Sequence, residues 1–120
     1  MRMIKTFLAA FAALALLISC KSTEKEAVNH NYMWFDCEAN YATLSHPDSI
    51  RYYLQKSKDL GFGNVVVDVK SIMGEVLYDS EIAPYMGDWE GVERARDYDM
   101  LGYFIKYGHE MGLKVFGSLN

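Results

Sequence analysis

The stretch that decides the fold runs from Asn64 to Tyr78 and reads N-V-V-V-D-V-K-S-I-M-G-E-V-L-Y. Its first half is a run of valines, which is typical of a strand buried on both faces of a parallel sheet. Two charged residues, Asp68 and Lys70, stand at the end of that run. Because side chains alternate along a strand, both share a face with Val66. Parallel α/β sheets and barrels bind ligands at the carboxyl ends of their strands, so these charges predict a binding site there.

The first nineteen residues have the pattern of an export signal. Arg2 and Lys5 give a positive start, and residues 6–18 form an apolar core that is too short to cross a bilayer comfortably. The sequence then reads Leu17-Ile18-Ser19-Cys20, which resembles the lipobox of bacterial lipoproteins. We therefore predict a lipoprotein signal peptide over residues 1–19, with Cys20 as the lipidated residue. An ordinary signal peptide followed by a chance cysteine is the alternative.

Residues 20–31 are polar and charged and lack periodicity, which predicts a lipid-anchored flexible tether. The folded part then comprises residues 32–120. The whole chain has 12 basic and 16 acidic residues, a formal net charge of −4, and this argues against nucleic acid as a partner. We expect a protein exported to the bacterial cell envelope and held at the membrane by its lipid anchor.

Nothing in the sequence predicts a cofactor or a metal site. With Cys20 as the anchor, Cys37 is the one remaining thiol, and we interpret it as a small buried hydrophobe. His30 and His46 lack the spacing of metal ligands.

Segments of strand and helix character alternate in the folded part. Strand composition is found over residues 32–38, 64–70 and 114–120. Apolar residues recur at helical spacing from the expected N-cap Ser45 to Gly61, and again from residue 97 to Gly112. The order β-α-β-α-β predicts a parallel sheet with right-handed crossovers.

The choice between an open nucleotide-binding sheet and a β/α barrel depends on the strand ends. The turn after the first strand, residues 38–41, contains no glycine, so the phosphate cradle of a nucleotide fold is missing. Polar residues at the strand ends agree better with the mouth of a barrel: Asp36, Glu38, Asp68, Lys70 and Asn120. A barrel takes roughly 250 residues. We therefore predict an α/β fold made of the first three strands and two helices of an incomplete (β/α)8 TIM-type barrel.

Several segments carry a resemblance to a known family. Gly74-Glu75-Val76-Leu77-Tyr78, which follows Val69-Lys70, resembles the G-D-A-L-Y that follows V-R in the glycosyl hydrolase-like 10 family. Residues 108–115, G-H-E-M-G-L-K-V, resemble its A-H-x-x-G-L-x-V. Trp34 and Asn120 fit the tryptophan of its first strand and the asparagine that closes its third. On these residues the chain is identified as the N-terminal portion of a lipoprotein of that family.

The resemblance implies a glycoside hydrolase acting on envelope or dietary glycans, peptidoglycan among them. Its catalytic acids are expected on later strands, so the catalytic residues are unknown and this chain alone is expected to position substrate without cleaving it. Asp68 and Lys70 are expected to pair. The expected substrate-binding residues are Asp36, Glu38, Asp68, Lys70, Glu75, Tyr78 and Asn120.

Two other functions stay open beside the glycosidase. One is a non-catalytic surface lipoprotein that binds glycan or a partner chain, and the other is a truncated product without function. Aromatic residues near the expected mouth could offer platforms for sugar rings, although we expect Trp34 to pack in the core. The aromatic residues concerned are Trp34, Tyr41, Tyr78, Tyr85 and Trp89.

Overall fold

The computed structural model describes residues 28–119. The predicted signal peptide, Cys20, most of the tether and Asn120 lie outside the described residues. In chain order the described part contains β1 (Tyr32–Phe35), α1 (Tyr41–Leu44), α2 (Pro47–Asp59), β2 (Asn64–Lys70), β3 (Asp88–Trp89), β4 (Val92–Glu93), α3 (Met100–Glu110) and β5 (Lys114–Leu119).

The valine run forms β2, the central strand of a three-stranded parallel sheet with the order β1-β2-β5. Val66 is the middle member of a row across this sheet, with Trp34 on β1 at one side and Phe116 on β5 at the other. Val65, Val67 and Val69 alternate with it and are buried in the core. The predicted strand is therefore confirmed, but its two faces differ, because only the face of the three valines is fully covered.

Helices α2 and α3 pack side by side on the buried face, and an ion pair of 3.3 Å joins Arg51 of α2 to Glu110 of α3. Asp99 caps α3, since its Oδ1 accepts a hydrogen bond of 2.9 Å from the Gly102 N–H. The N-cap predicted for α2 is wrong: Ser45 follows α1 as its C-cap, and its hydroxyl donates to the Tyr41 carbonyl over 2.7 Å. His46 precedes α2 and makes no side-chain cap bond.

Glycine follows both long helices where the chain turns into a strand. Gly61 has φ 88° and Gly112 has φ 75°, the left-handed conformation that glycine adopts without strain. The helix ends predicted from these two glycines are confirmed.

The connection between β2 and α3 folds back onto the end of the sheet. The Leu77 N–H donates to the Val69 carbonyl over 3.0 Å, and Val76 bridges to both Lys70 and Tyr85. Val76, Leu77 and Met86 are buried. Further along, β3 and β4 form an antiparallel hairpin that was not predicted from the sequence.

The prediction of an incomplete TIM-type barrel is wrong. Residues 28–119 form a small domain in which two helices cover one face of a three-stranded parallel sheet, accompanied by the short helix α1 and the two-stranded hairpin. In a barrel the long connection would stand at the mouth, whereas here it supplies core residues. Polar residues at the strand ends misled the prediction, because this three-stranded sheet carries Asp68 and Lys70 near the end of β2 without being part of a barrel.

Among residues 28–119, no helix is long and apolar enough to cross a membrane.

Candidate functional site: the open face of the sheet

The face of the sheet opposite the helices is uncovered in the described part of the chain. We call it the open face. Three aromatic side chains on it are strongly exposed: Trp34 by 57%, Tyr32 by 52% and Phe116 by 43%. Large exposed aromatic side chains gathered on one surface are uncommon in soluble domains and indicate a binding surface. The residues of the open face are Tyr32, Trp34, Val66, Asp68, Phe116 and Ser118, and Lys70 follows them at the end of β2.

Two of the aromatic rings meet across the central strand. Tyr32 lies on β1 and Phe116 on β5, yet their ring centroids are 5.8 Å apart with a tilt of 49°. This is a favourable geometry for an aromatic pair. The strand positions of Tyr32 and Trp34, two residues apart, place the indole on the same face. The amino-terminal half of the open face is therefore an apolar aromatic platform.

Polar groups follow this platform towards the carboxyl ends of the strands. The Trp34 indole N–H donates to Asp68 Oδ2 over 2.9 Å. Asp68 lies opposite Ser118 in the sheet register. The second oxygen of this carboxylate, Oδ1, is enclosed and accepts no hydrogen bond from residues 28–119. Carboxylate, indole N–H and hydroxyl thus stand in one polar row beside the aromatic platform.

Asp68 and Lys70, which were expected to pair, both lie in the second half of β2, and Asp68 Oδ2 accepts the hydrogen bond from the Trp34 indole. The Lys70 ammonium donates to the Ser71 carbonyl over 3.3 Å. Lys70 stands at the point where the register between β2 and β5 shifts, so the strand pairing is irregular there.

Asp36 and Glu38 are placed in a turn, because β1 ends at Phe35. Asp36 Oδ1 accepts hydrogen bonds from the backbone N–H groups of Glu38 and Ala39, at 3.1 and 2.9 Å. Glu38 Oε1 accepts from the Ile72 N–H over 3.0 Å. Both carboxylates therefore hold the connections after β1 and β2 in place.

The two remaining candidates in the described part lie in the long connection. The Glu75 N–H donates to Ser71 Oγ over 3.2 Å, and the Glu75 side chain is half-buried. Tyr78 is half-buried and packs against the core. Asn120 lies outside the described residues. Of the seven predicted substrate-binding residues, the structure places Asp68 on the open face, with Lys70 two residues further along the same strand.

Sequence reasoning missed the residues that dominate this surface. Trp34 was expected in the core and is exposed, and neither Tyr32 nor Phe116 was among the predicted site residues. The alternation of side chains along the strands could have found them. Tyr32 and Trp34 are two residues apart and so point to the same face of β1, and Phe116 points to that face from β5. Of the other aromatic candidates, Tyr41 is buried and donates through its hydroxyl to the Met86 carbonyl over 2.8 Å.

A buried arginine was also missed. Arg94 Nη2 donates to the Tyr41 carbonyl and to Ser45 Oγ, both at 3.0 Å. Its guanidinium carbon lies 3.8 Å from the centre of the Tyr41 ring. Burial raises the pKa of Tyr41 and of Tyr98, and the nearby positive charge of Arg94 opposes that shift. Arg94 thus fastens the long connection to α1, away from the open face.

Cys37 lies in the turn that follows β1 and is fully buried, which agrees with its interpretation as a small hydrophobe. Burial, and secondly the negative charge of Asp68, raise the pKa of this thiol from 9.0 to about 12. Its Sγ–H donates to the Phe35 carbonyl over 3.4 Å. A thiol with so high a pKa is unreactive at neutral pH. Among residues 28–119, no group of three or more His, Cys, Asp or Glu side chains is arranged to hold a metal ion.

Fold and site together define a small α/β domain with an aromatic open face, and the comparison with known proteins is consistent with a place at the cell envelope or surface. No family model matches the chain. Over 105 residues the chain is 32% identical to an S-layer-related protein of Niallia circulans. The aligned region takes in 82% of this chain but only 6% of that relative's length.

These comparisons correct the family resemblance. The similarity is to an S-layer-related protein, and nothing in it indicates the glycosyl hydrolase-like 10 family, so that identification and the hydrolase class attached to it are wrong. The similar segments G-E-V-L-Y and G-H-E-M-G-L-K-V have structural explanations instead: the first begins the fold-back onto β2, and the second is the helix end that leads into β5. The similarity to an S-layer-related protein agrees with the predicted location at the cell envelope or surface.

Proposed function

We propose that this chain is a non-catalytic glycan-binding domain displayed at the bacterial cell surface. The observation that carries the proposal is the open face, on which three exposed aromatic rings stand beside a polar row that contains Asp68 and Ser118. The domain binds the sugar polymer on this face, and the helices on the opposite face serve as its support.

The chemistry of the open face suits a sugar ring. Tyr32, Trp34 and Phe116 offer flat apolar surface to the C–H face of a pyranose, and aromatic side chains lose little conformational entropy when they become ordered. Sugar hydroxyls need donors and acceptors at the edge of that surface. The Asp68 carboxylate accepts hydrogen bonds, the Lys70 ammonium donates, and Ser118 does both.

The arrangement favours binding over hydrolysis. A glycosidase needs two carboxyl groups about 5 to 9.5 Å apart on either side of the scissile bond. Among residues 28–119, Asp68 is the carboxylate on the open face, while Asp36 and Glu38 are committed to backbone hydrogen bonds in turns. One carboxylate on a flat surface can hold a hydroxyl but cannot flank a sugar.

The surface location draws support from two independent observations. The similarity to an S-layer-related protein agrees with a place on the outside of the cell. The lipobox-like Leu17-Ile18-Ser19-Cys20 supplies the means of attachment, because acyl chains on Cys20 would hold the domain at a membrane through the tether of residues 20–31.

Co-sedimentation with insoluble glycans tests the binding function. The purified full chain in mild detergent is incubated with peptidoglycan sacculi or with an insoluble β-glucan, and the bound fraction is measured. We expect wild-type chain to bind one of these glycans, and Trp34→Ala and Phe116→Ala each to lower the affinity about tenfold, since each removes a large contact. Leu60→Ala is the matched control, because Leu60 is 72% exposed at the end of α2, away from the open face. Equal binding by wild type and both aromatic variants would exclude the open face as the site.

The lipid anchor has a separate test. In a bacterial expression host, metabolic labelling with a clickable fatty acid should mark the wild-type chain and leave Cys20→Ala unlabelled. The wild-type chain should also partition into the detergent phase, whereas Cys20→Ala should not. Labelling that persists in the variant, or is missing from both, would refute anchoring through Cys20.

A further inference from the structure

Hydrogen bonds fasten residues 28–31 to the end of the sheet where the strands start. The Asn29 side-chain amide donates to the Gly61 carbonyl over 2.9 Å. The buried Asn64 amide at the start of β2 donates to the carbonyls of Asn29 and Asn31, at 2.7 and 3.1 Å. The point at which the chain enters the folded domain is therefore fixed.

All three strands of the sheet begin at this end, and both long helices finish there. Tyr32, Asn64 and Lys114 are register partners at the first positions of β1, β2 and β5. Helix α2 ends at Asp59 and leads into β2, and α3 ends at Glu110 and leads into β5. We call the surface formed by residues 28–31, 56–63 and 109–114 the amino end of the domain.

Lysine side chains gather at the amino end. Of the acidic residues there, Glu110 is paired with Arg51 over 3.3 Å, and Asp59 stands among the lysines. Lysines in the last turn of α2 also complement its helix dipole, but Lys114 lies at the start of a strand and has no such role. The exposed lysines of the amino end are Lys56, Lys58 and Lys114.

The opposite end of the domain has the opposite charge. The long connection, residues 71–99, follows the carboxyl end of β2 and contains eight acidic residues and two basic ones. The whole chain is acidic, with a formal net charge of −4, so the lysines of the amino end do not reflect a basic composition. An anionic surface would attract the amino end and repel the long connection.

The amino end also exposes apolar side chains beside its lysines. Leu60 is 72% exposed at the end of α2, and Val28 is 66% exposed where the chain enters the domain. Apolar side chains next to lysines are typical of surfaces that bind at a membrane interface, because the apolar groups enter the headgroup region and the ammonium groups contact lipid phosphates.

The predicted lipid anchor lies close to the amino end along the sequence. Eight residue steps separate Cys20 from Val28, and a fully extended chain of that length spans at most about 29 Å. Acyl chains on Cys20 would therefore keep the amino end near the bilayer, and for this proximity the inference rests on the anchor of the proposed function. The remaining charge and apolar contacts belong to the folded domain itself.

We propose that the amino end docks on an anionic phospholipid surface, with its exposed lysines on the lipid phosphates and with Val28 and Leu60 among the headgroups. The strands then lead away from the membrane, and the acidic long connection faces outwards. Tyr32 and Phe116 lie near the starts of their strands, so a glycan bound on the aromatic platform is held close to the bilayer.

Fluorescent labels at the two ends of the domain test this orientation. His109→Cys places a label at the amino end and Ile82→Cys places one on the long connection, and both residues are exposed. The buried Cys37, with a pKa of about 12, does not take up the label. The full chain is incorporated into vesicles of phosphatidylcholine with or without phosphatidylglycerol, both carrying a quencher on the lipid headgroup.

We expect the label at residue 109 to be quenched more strongly than the label at residue 82 on vesicles that contain phosphatidylglycerol. The difference should shrink on pure phosphatidylcholine, and also at about 0.5 M salt, which screens exposed charges. Lys58→Glu combined with Lys114→Glu should abolish the difference. Arg96→Glu is the matched control, since it reverses an exposed charge at the opposite end and should leave the difference unchanged.

Fatty-acid labelling shows beforehand whether Cys20 is acylated and thereby blocked. If it is not, the anchor has failed by itself, and the two labels are compared in a Cys20→Ala background, so the docking surface is still tested. Equal quenching at the two positions, or stronger quenching at residue 82, would overturn the proposal. A difference that persists on neutral vesicles or in the double lysine variant would also overturn it, because anionic lipid would then not be what orients the domain.

Discussion

The indole N–H of Trp34 donates to Asp68 Oδ2 over 2.9 Å and thereby joins β1 to β2 on the face of the sheet that the helices leave open. Both groups also belong to the proposed glycan site. The hydrogen bond fixes the orientation of the indole ring, and it engages one oxygen of the carboxylate. Orientation of the ring should therefore matter for glycan binding in addition to its size.

Trp34→Phe separates these two contributions, because phenylalanine keeps an aromatic ring but cannot donate to Asp68. We expect its glycan affinity to lie between those of wild type and Trp34→Ala. The free energy of unfolding should fall by about 0.5–1.5 kcal/mol, as for loss of one hydrogen bond at a partly exposed site. Urea unfolding and co-sedimentation measure the two effects. Affinity equal to that of wild type would show that the hydrogen bond does not orient the ring for binding.

Arg94 should be among the costliest residues to replace. In Arg94→Ala the Tyr41 carbonyl loses a donor and the aromatic ring of Tyr41 loses its cation, so we expect a loss of about 2–4 kcal/mol in the free energy of unfolding. Arg94→Lys keeps the charge but not the planar fork, and its stability should be closer to that of the alanine variant.

Arg96→Ala is the matched control for Arg94. Its ion pair with Asp79, at 3.2 Å, is largely exposed, so its removal should cost less than about 1 kcal/mol. Urea unfolding followed by circular dichroism compares the three variants. If Arg94→Ala and Arg96→Ala are equally stable, burial of Arg94 does not stabilise the long connection as inferred.

Gly108 is buried where α3 packs closely against Val115 of β5. A Cβ at this position would come within 2.5 Å of Val115 Cγ2. Alanine favours a helix by about 1 kcal/mol over glycine, but overpacking costs about 1–3 kcal/mol. We expect Gly108→Ala to destabilise the fold by about 1 kcal/mol, as measured by urea unfolding.

A second substitution identifies the cause of that loss. In the background Val115→Ala the methyl group that would clash is gone, so Gly108→Ala should become neutral or stabilising there. His109→Ala, on the exposed side of the same helix, controls for the gain in helix propensity alone. An equal loss in both backgrounds would rule out contact with Val115 as its origin.

The parts of the fold that depend on local chemistry were predictable from the sequence. The valine run predicted β2, and Gly61 and Gly112 predicted the ends of the two long helices; the helical spacing that begins at residue 97 predicted α3, whose N-cap is Asp99. Each of these signals acts within a few residues, through burial pattern, capping or backbone conformation.

The parts that depend on distant contacts were not predictable. Nothing near Arg94 in the sequence indicates that its guanidinium is buried against Tyr41, 53 residues away. Serine is a common N-cap residue, but the Ser45 hydroxyl accepts a hydrogen bond from the Arg94 guanidinium and donates one to the Tyr41 carbonyl instead. The aromatic face was missed for a different reason: an aromatic residue in a strand looks the same whether its face is covered or open, and only the packing of the helices decides which.

The buried thiol of Cys37 predicts a loss of stability in alkaline solution. Its pKa is raised from 9.0 to about 12 in the folded chain, chiefly by burial, so above about pH 9 the unfolded chain releases a proton that the folded chain retains. Stability is therefore fully present below pH 9 and is lost as the pH rises, at about 1.4 kcal/mol per pH unit. Tyr41 and Tyr98 also lower the stability of the fold in alkaline solution, but only above about pH 10, because burial raises their pKa values from 10.0. Urea unfolding between about pH 8 and about pH 10 measures the slope, which should be markedly flatter in Cys37→Ala. Parallel curves for the two proteins would show that the thiol ionises equally in the folded and unfolded chains.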